Sequence, residues 1–203
     1  FLFLGLVPIS AMGQSLPHTF SANTAAKASE VNANFTYLLD RFGTRQTTVN
    51  CSSGESITTA LKNYNHIVIS GICTENLSLD PTELTHRLVI LEGSNSSSDG
   101  ISASDTSIPV VDVGGGEITL KIKKLKLTGG TDGIKARRGP AIIMSNILIE
   151  NNSEDGIALW MGSNGIIKNS TIQNNGSQAI IAGYSSSVSI KGNTISGHTN
   201  ESS

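Results

Sequence analysis

The chain has 203 residues and a formal net charge of -2 at neutral pH, so its overall charge does not point to nucleic acid or an anionic membrane as a partner. Ser (28), Gly (21) and Asn (17) supply about a third of the residues, aromatics only 4%, and 23 isoleucines are spread through the chain. This composition disfavours an aromatic-centred globule, a helical bundle and an intrinsically disordered chain. It favours a turn-rich β protein of one domain with a small appendage at most.

Residues 1–13 have the features of a secretory signal peptide. The apolar run over residues 1–9 is shorter than the roughly 18–20 residues that span a bilayer. Ala11 and Gly13 place small residues at the -3 and -1 positions of a cleavage site. We interpret residues 1–13 as the remainder of a signal peptide, with a buried N-terminal strand as the alternative. The protein is therefore predicted to be secreted or at the cell surface.

Residues 14–46 are predicted to form a helical leader. Val31, Phe35, Leu38 and Phe42 are spaced 4, 3 and 4 residues apart, which predicts an apolar seam on a helix that starts near Ser29. This segment resembles a leader module found ahead of various secreted bacterial proteins. We expect it to cap the domain that follows, and weak self-association through residues 29–42 is the alternative.

The two cysteines, Cys51 and Cys73, agree with export and are predicted to form one disulfide. Two free buried thiols are the alternative. Between and after them, residues 54–61 read as a short amphipathic helix, and residues 66–71, 73–79 and 87–93 read as strands. Residues 94–107 are rich in Ser and Asp and are predicted to form a protruding loop.

A repeat of about 23 residues dominates the rest of the chain. Segments 143–165, 166–188 and 189–203 align without gaps, so that Ile149, Ile172 and Ile195 recur at intervals of 23. Residues 120–133 fit the same template with one residue deleted. The last repeat is incomplete, which predicts a domain truncated at its C-terminal end.

Each repeat alternates apolar and polar residues with a period of two, interrupted at fixed places. The alternation slips at Lys123-Lys124, which predicts a corner, and the equivalent positions hold Asn146, Asn169 and Gly192. A second corner follows at Gly129-Gly130, and at Asn151-Asn152 and Asn174-Asn175 one and two repeats later. Gly and Asn adopt a left-handed backbone at the lowest cost. Three short strands and three turns per repeat predict one coil of a parallel solenoid.

The run from Ile166 to Asn175, with its equivalents in the other repeats, resembles the right-handed parallel β-helix repeat proteins of the pectate-lyase-like superfamily. The resemblance covers residues 47–203 and implies an all-β fold, a right-handed parallel β-helix with a short N-terminal helical cap. It also implies a protein that binds or processes extracellular polysaccharide and, if it is an enzyme, a lyase or a glycoside hydrolase. The competing prediction is a surface adhesin or a structural solenoid without catalytic activity.

Candidate site residues follow from the third strand of each coil. In carbohydrate-active members of that superfamily the substrate lies across this strand's outer face. Lys135, Arg137 and Arg138 are predicted to pair with uronate carboxylates, and Trp160 to stack on a sugar. Asp132 and Asp155, equivalent positions one coil apart, are candidate catalytic carboxylates, and Glu154 with Asp155 is a candidate Ca²⁺ site. Asp-Gly turn chemistry and a solvated basic surface explain the same residues without a site.

No other cofactor is predicted. The sequence lacks the phosphate-binding Gly-rich loop, the His-Glu-x-x-His zinc motif, the Gly-x-Ser-x-Gly nucleophile motif and any Cys-x-x-Cys pair. The histidines at 18, 66, 86 and 198 show no ligand spacing, so a histidine metal site is not expected.

Overall fold

A computed structural model describes residues 18–19, 27–34, 43–84 and 86–199. The chain divides into two compact units, residues 1–43 and 44–203. In the first unit, residues 28–34 form helix α1, one residue earlier than the predicted start at Ser29. The Asn34 side chain is buried; its Oδ1 accepts from the His18 backbone N–H and its Nδ2 donates to the His18 carbonyl. Residues 1–13 and the predicted seam residues Phe35, Leu38 and Phe42 lie outside the described residues.

The second unit contains one short α-helix and eighteen strands among the described residues. Helix α2 is Ile57–Ala60, and a 3-10 turn spans Cys51–Ser53. The strands are β1 Gln46–Asn50, β2 His66–Ser70, β3 Ile72–Thr74, β4 Leu77–Leu79, β5 Leu88–Gly93, β6 Gly100–Ser102, β7 Val111–Val113, β8 Thr119–Lys123, β9 Lys126–Thr128, β10 Ile134–Arg137, β11 Ala141–Ser145, β12 Leu148–Glu150, β13 Ile157–Trp160, β14 Asn164–Lys168, β15 Thr171–Gln173, β16 Ile180–Ala182, β17 Ser187–Lys191 and β18 Thr194–Ser196.

The strands form three parallel sheets that run along the solenoid. Sheet 1 has the order β1-β2-β5-β8-β11-β14-β17, sheet 2 the order β3-β6-β9-β12-β15-β18, and sheet 3 the order β4-β7-β10-β13-β16. Each coil from β2 onwards contributes its strands to the sheets in the order 1, 2, 3. The predicted assignment of three strands to each repeat is confirmed.

The core is a stack of aliphatic side chains that point inwards from all three sheets. Cys73, Ile101, Leu127, Ile149 and Ile172 occupy successive positions in sheet 2, and each is at most 3% exposed. Because a single coil surrounds too little apolar surface to be stable alone, each coil depends on its neighbours for burial.

Left-handed residues turn the chain between sheets. At the first corner Lys124, Asn146, Asn169 and Gly192 have φ between 49° and 68°, and at the second corner Gly129, Asn151, Asn174 and Gly197 have φ between 52° and 85°. Both predicted corners are therefore confirmed. The third corner, after sheet 3, uses bulkier residues, Arg138, Met161 and Tyr184, with φ of 67°, 55° and 51°.

A buried amide ladder holds the second corner of successive coils together. Asn175 Oδ1 accepts from the Asn152 backbone N–H at 3.1 Å and from Asn152 Nδ2 at 2.9 Å. Asn175 Nδ2 donates to the Ile149 carbonyl at 3.4 Å. His198 follows Asn175 by one repeat, and its Nε2 lies 3.2 Å from the Ile172 carbonyl. The predicted hydrogen-bonding ladder is confirmed at Asn152 and Asn175.

The disulfide and helix α2 close the first coil. Cys51 and Cys73 are bonded, with Cα atoms 4.7 Å apart, which confirms the predicted pairing. Ser56 caps α2, and Ile57 is fully buried. The Glu75 carboxylate accepts from the backbone N–H groups of Ile57 and Thr58, which ties α2 to the residues after β3. None of the helices among the described residues is long and apolar enough to cross a membrane.

The prediction of a protruding loop over residues 94–107 is wrong. Strand β6 lies inside it, Ile101 is fully buried, and Gly100 pairs with Lys126 of the next coil. The buried Asp99 carboxylate organises the turn before β6, because it accepts from the backbone N–H groups of Gly71, Ser94 and Asn95. The segment therefore forms a full part of a coil rather than a loop outside it.

A one-residue difference in coil length is absorbed at the second corner. Leu127 pairs with Ile149, which is 22 residues later, whereas Ile134 pairs with Ile157, which is 23 residues later. The coil that contains Ile149 therefore has one more residue between sheets 2 and 3. The strands on both sides remain in register.

Candidate functional site

The outer face of sheet 3 carries the predicted substrate-binding residues. Alternation along β10 turns Ile134 and Ala136 into the core and Lys135 and Arg137 outwards. The parallel register places Arg137 beside Trp160 of the next coil. These outward residues lie at neighbouring positions, as the alternation predicts.

Lys135 is paired with Asp132. Lys135 Nζ donates to Asp132 Oδ2 at 3.1 Å, and Thr131 Oγ1 donates to the same oxygen at 3.1 Å. The Asp132 side chain is 1% exposed, and its Oδ1 is buried without a hydrogen-bond partner. A buried carboxylate is destabilising unless it is paired, so the ammonium of Lys135 offsets the burial of Asp132.

Arg137 is paired with a carboxylate that sequence analysis missed. Its Nη2 donates to Asp112 Oδ2 at 2.5 Å across the coil boundary. The two side chains are 43% and 29% exposed, so this ion pair lies at the surface. Asp112 also lies directly beside Lys135 in the register of sheet 3.

Arg138 lies at the third corner and is exposed. Its charge contributes to holding the pKa of Asp80 below its ordinary value, although hydrogen bonds from the Thr82 hydroxyl and backbone N–H are the larger causes. Each of the three predicted uronate-binding cations therefore interacts with a carboxylate of this chain.

Trp160 forms an aromatic surface with Tyr184. The two ring centroids are 5.7 Å apart and the ring planes are tilted by 49°. A Cβ atom on Gly183 would lie 2.6 Å from Cε3 of the indole, so the ring of Trp160 rests on this glycine. Tyr184 is 76% exposed, and Met161 on the same corner is 55% exposed. Together they place apolar rings at the edge of sheet 3.

The predicted catalytic and calcium residues lie at the start of sheet 3. Asp132 and Asp155 are one coil apart, because the Gly133 N–H donates to the Asp155 carbonyl. Asp155 Oδ1 accepts from the Gln178 backbone N–H at 2.9 Å, and Glu154 is exposed. Within the part of the chain that the structure describes, no three His, Cys, Asp or Glu residues form a group that could hold a metal ion. The catalytic and calcium roles stay predictions.

Two shallow depressions are lined by residues of the first coil. One is bounded by Thr47 and Tyr64 and the other by Cys51 and Glu75, and neither includes a residue of sheet 3. The outer face of sheet 3 is therefore an open surface, which suits an extended polymer better than a small molecule.

The comparisons with known proteins agree with the coil geometry. Residues 110–202 match the family model for the right handed beta helix region. The protein is a right-handed parallel β-helix. The matched part of this β-helix starts next to β7 and includes Asp112, Arg137 and Trp160. No curated protein and no solved structure matches the chain significantly.

Three residues of this face in the β-helix were missed by sequence analysis: Asp112, Gly183 and Tyr184. A signal for Asp112 existed, since it precedes Lys135 by one repeat of 23 residues and lies in an alternating Val-Asp-Val segment. Tyr184 gave no comparable signal, because an exposed tyrosine at a corner follows no periodic pattern.

Proposed function

We propose that this β-helix is an exported protein that binds extracellular polysaccharide along the outer face of sheet 3. The observation that carries the proposal is the surface formed by the Arg137–Asp112 ion pair next to the rings of Trp160 and Tyr184. Planar rings offer contact to the apolar faces of sugars, and charged hydrogen-bonding groups offer contact to their hydroxyls.

Binding is better supported than cleavage. A general acid or base must reach the substrate, and the Asp132 carboxyl is 1% exposed with Lys135 bound to it. The Asp155 carboxylate is engaged by the backbone N–H of Gln178. These positions favour structural roles for both carboxylates, so we assign polysaccharide binding rather than turnover.

Export is supported by the disulfide between Cys51 and Cys73, because such bonds persist in oxidising compartments. The signal-peptide features of residues 1–13 point the same way. We therefore propose that the protein acts outside the cytoplasm, as a secreted or surface-bound molecule.

The proposal is tested by affinity electrophoresis of the purified chain through gels that contain single soluble polysaccharides. At least one polymer should retard the wild-type protein, and the double variant Trp160→Ala, Arg137→Ala should migrate as in a polymer-free gel. Parallel assays for unsaturated products and new reducing ends, with and without Ca²⁺, should stay at background. Retardation that survives the double substitution would overturn the assignment of the face.

A structural solenoid or adhesin is the second candidate. The observation that favours it is the continuous stacking of the three sheets with their buried amide ladder, which makes a rigid rod without any binding face. Absence of retardation by every polymer, with an intact β-rich circular dichroism spectrum, would favour this candidate over polysaccharide binding.

A further inference from the structure

The outer face of sheet 3 is electrically balanced. Asp112 with Arg137 and Asp132 with Lys135 supply two negative and two positive charges, each pair joined by a hydrogen bond. Arg138, the remaining cation, is close enough to Asp80 to influence its ionisation. The basic character expected from the sequence is therefore neutralised by carboxylates from other parts of the chain.

The corner beside this face carries bulky residues where small ones are favoured. Met161 and Tyr184 have φ of 55° and 51°, a region that Asn or Gly adopts at lower cost, as at the other two corners. Persistence of a strained residue indicates that its side chain is needed. Here the strain places Tyr184 in the open, 5.7 Å from the indole of Trp160.

Gly183 sets the orientation of the indole. Its lack of a side chain lets the Trp160 ring lie over the neighbouring coil, since any Cβ there would meet ring atoms Cζ3 and Cε3. Trp160 and Tyr184 therefore belong to adjacent coils and form one surface that extends along the solenoid axis.

We propose that the Trp160–Tyr184 surface binds uncharged pyranose units, so that the ligand of this β-helix is a neutral polysaccharide rather than a uronate polymer. The inference rests on the proposed function and narrows its substrate class. The rings contact the apolar faces of the sugars, and the Arg137–Asp112 pair exchanges hydrogen bonds with sugar hydroxyls while it remains intact.

A uronate would bind this face poorly for an electrostatic reason. To reach Arg137, its carboxylate would have to displace that of Asp112, whose Oδ1 is already buried without a partner. The displaced aspartate would then lie next to a like charge at a partly buried position, which is unfavourable. A neutral sugar has hydroxyls that both donate and accept, so it leaves the ion pair in place.

The test compares two classes of polymer with the same protein. Affinity gels would contain galactomannan, xyloglucan or mixed-linkage β-glucan as neutral polymers, and polygalacturonate or alginate as acidic ones. We expect retardation by at least one neutral polymer and none by the acidic ones. Because Trp160 is the only tryptophan, the same titrations should change its fluorescence emission.

Tyr184→Ala should weaken binding to the neutral polymer by about threefold to tenfold, the range expected for one lost aromatic contact. Ile166→Ala is the matched control, because Ile166 is 38% exposed on the outer face of sheet 1 and should leave affinity unchanged. Circular dichroism establishes that both variants are folded.

The outcomes separate this inference from the proposed function. Retardation by polygalacturonate or alginate but by no neutral polymer, abolished by Arg137→Gln, would overturn the neutral-sugar inference and keep polysaccharide binding. Neutral-polymer binding that Tyr184→Ala leaves unchanged would also overturn it. Failure of all five polymers to retard the protein would count against the proposed function itself.

Discussion

Single residues set the geometry of the sheet 3 face, and Gly183 is the most sensitive of them. Gly183→Ala should push the Trp160 indole outwards, because the new Cβ would lie within 2.6 Å of two ring atoms. We expect the tryptophan emission to shift to longer wavelength and binding to neutral polymer to weaken, with little change in stability. Fluorescence and affinity gels provide the measurement.

Gly114→Ala is the control for this substitution. Gly114 belongs to the same outward column of sheet 3, but a Cβ there would meet only Asp80 Oδ2 at 4.0 Å, an ordinary contact. It should leave emission and affinity unchanged. Identical spectra for Gly183→Ala and the wild type would show that the indole does not rest on this glycine.

Asp99 makes stability depend on acid pH. Burial alone would raise the pKa of this carboxyl, but hydrogen bonds from the Ser94 hydroxyl and three backbone N–H groups lower it to about 2. A lowered pKa in the folded state stabilises the protein above the ordinary pKa of aspartate, and this stabilisation is lost as the pH falls towards 2. The stabilisation at neutral pH is of the order of 2 kcal/mol.

Urea unfolding of Asp99→Asn at several pH values checks this. The variant should be less stable at pH 7, and the free energy of unfolding should depend less on pH between about 4 and 2 than in the wild type. Asp105→Asn, at an exposed loop carboxylate, should show a smaller effect because solvent screens its interactions. Parallel pH profiles for the wild type and Asp99→Asn would contradict the assigned role.

At the level of the coil, the buried amide ladder is expected to contribute more stability than the turn residue beside it. Asn175→Ala leaves the N–H groups of Asn152 and the carbonyl of Ile149 without partners in the core, which should lower the free energy of unfolding by about 2 kcal/mol or more. Asn174→Gly, next to it at φ 52°, should be neutral or stabilising by up to about 1 kcal/mol. Equal losses in both variants, measured by urea unfolding, would contradict the ladder's role.

Sequence analysis identified the coils where their length is regular and missed them where it is not. Asn146, Asn169, Asn151 and Asn174 marked left-handed corners, because asparagine is one of the few residues that tolerate that conformation. Strands β6 and β7 were missed because their coil has corners of other lengths, so that it does not show the same repeat. Left-handed Met161 and Tyr184 follow no propensity rule and emerged only from the backbone.

The candidate site was predictable in part for the same reason. Strict alternation along β10 and β13 gave the outward positions of Lys135, Arg137 and Trp160. It did not reveal that Lys135 and Arg137 are ion-paired, since Asp112 comes from the irregular coil before them. The predicted outward position of Ala158 is in fact 1% exposed, which no local pattern indicated.

For the whole molecule, nearest-neighbour stacking predicts that stability is local along the solenoid. Reduction of the Cys51–Cys73 disulfide, which closes a span of 22 residues, should lower stability by about 3 kcal/mol on the chain-entropy estimate. Amide hydrogen exchange should accelerate in β1 to β3 and remain slow in β11 to β13. A uniform loss of protection across all coils would indicate a single cooperative unit instead.

The one-residue difference at the second corner bears on how such a protein diversifies. The segment between Ile149 and Ile157 is longer by one residue than that between Leu127 and Ile134, yet the strands that follow keep their pairing. Insertions at this corner can therefore accumulate during evolution without refolding the scaffold. Because the corner borders sheet 3, each insertion would change the walls around the ligand surface, so new specificities can arise while the inherited core stays the same.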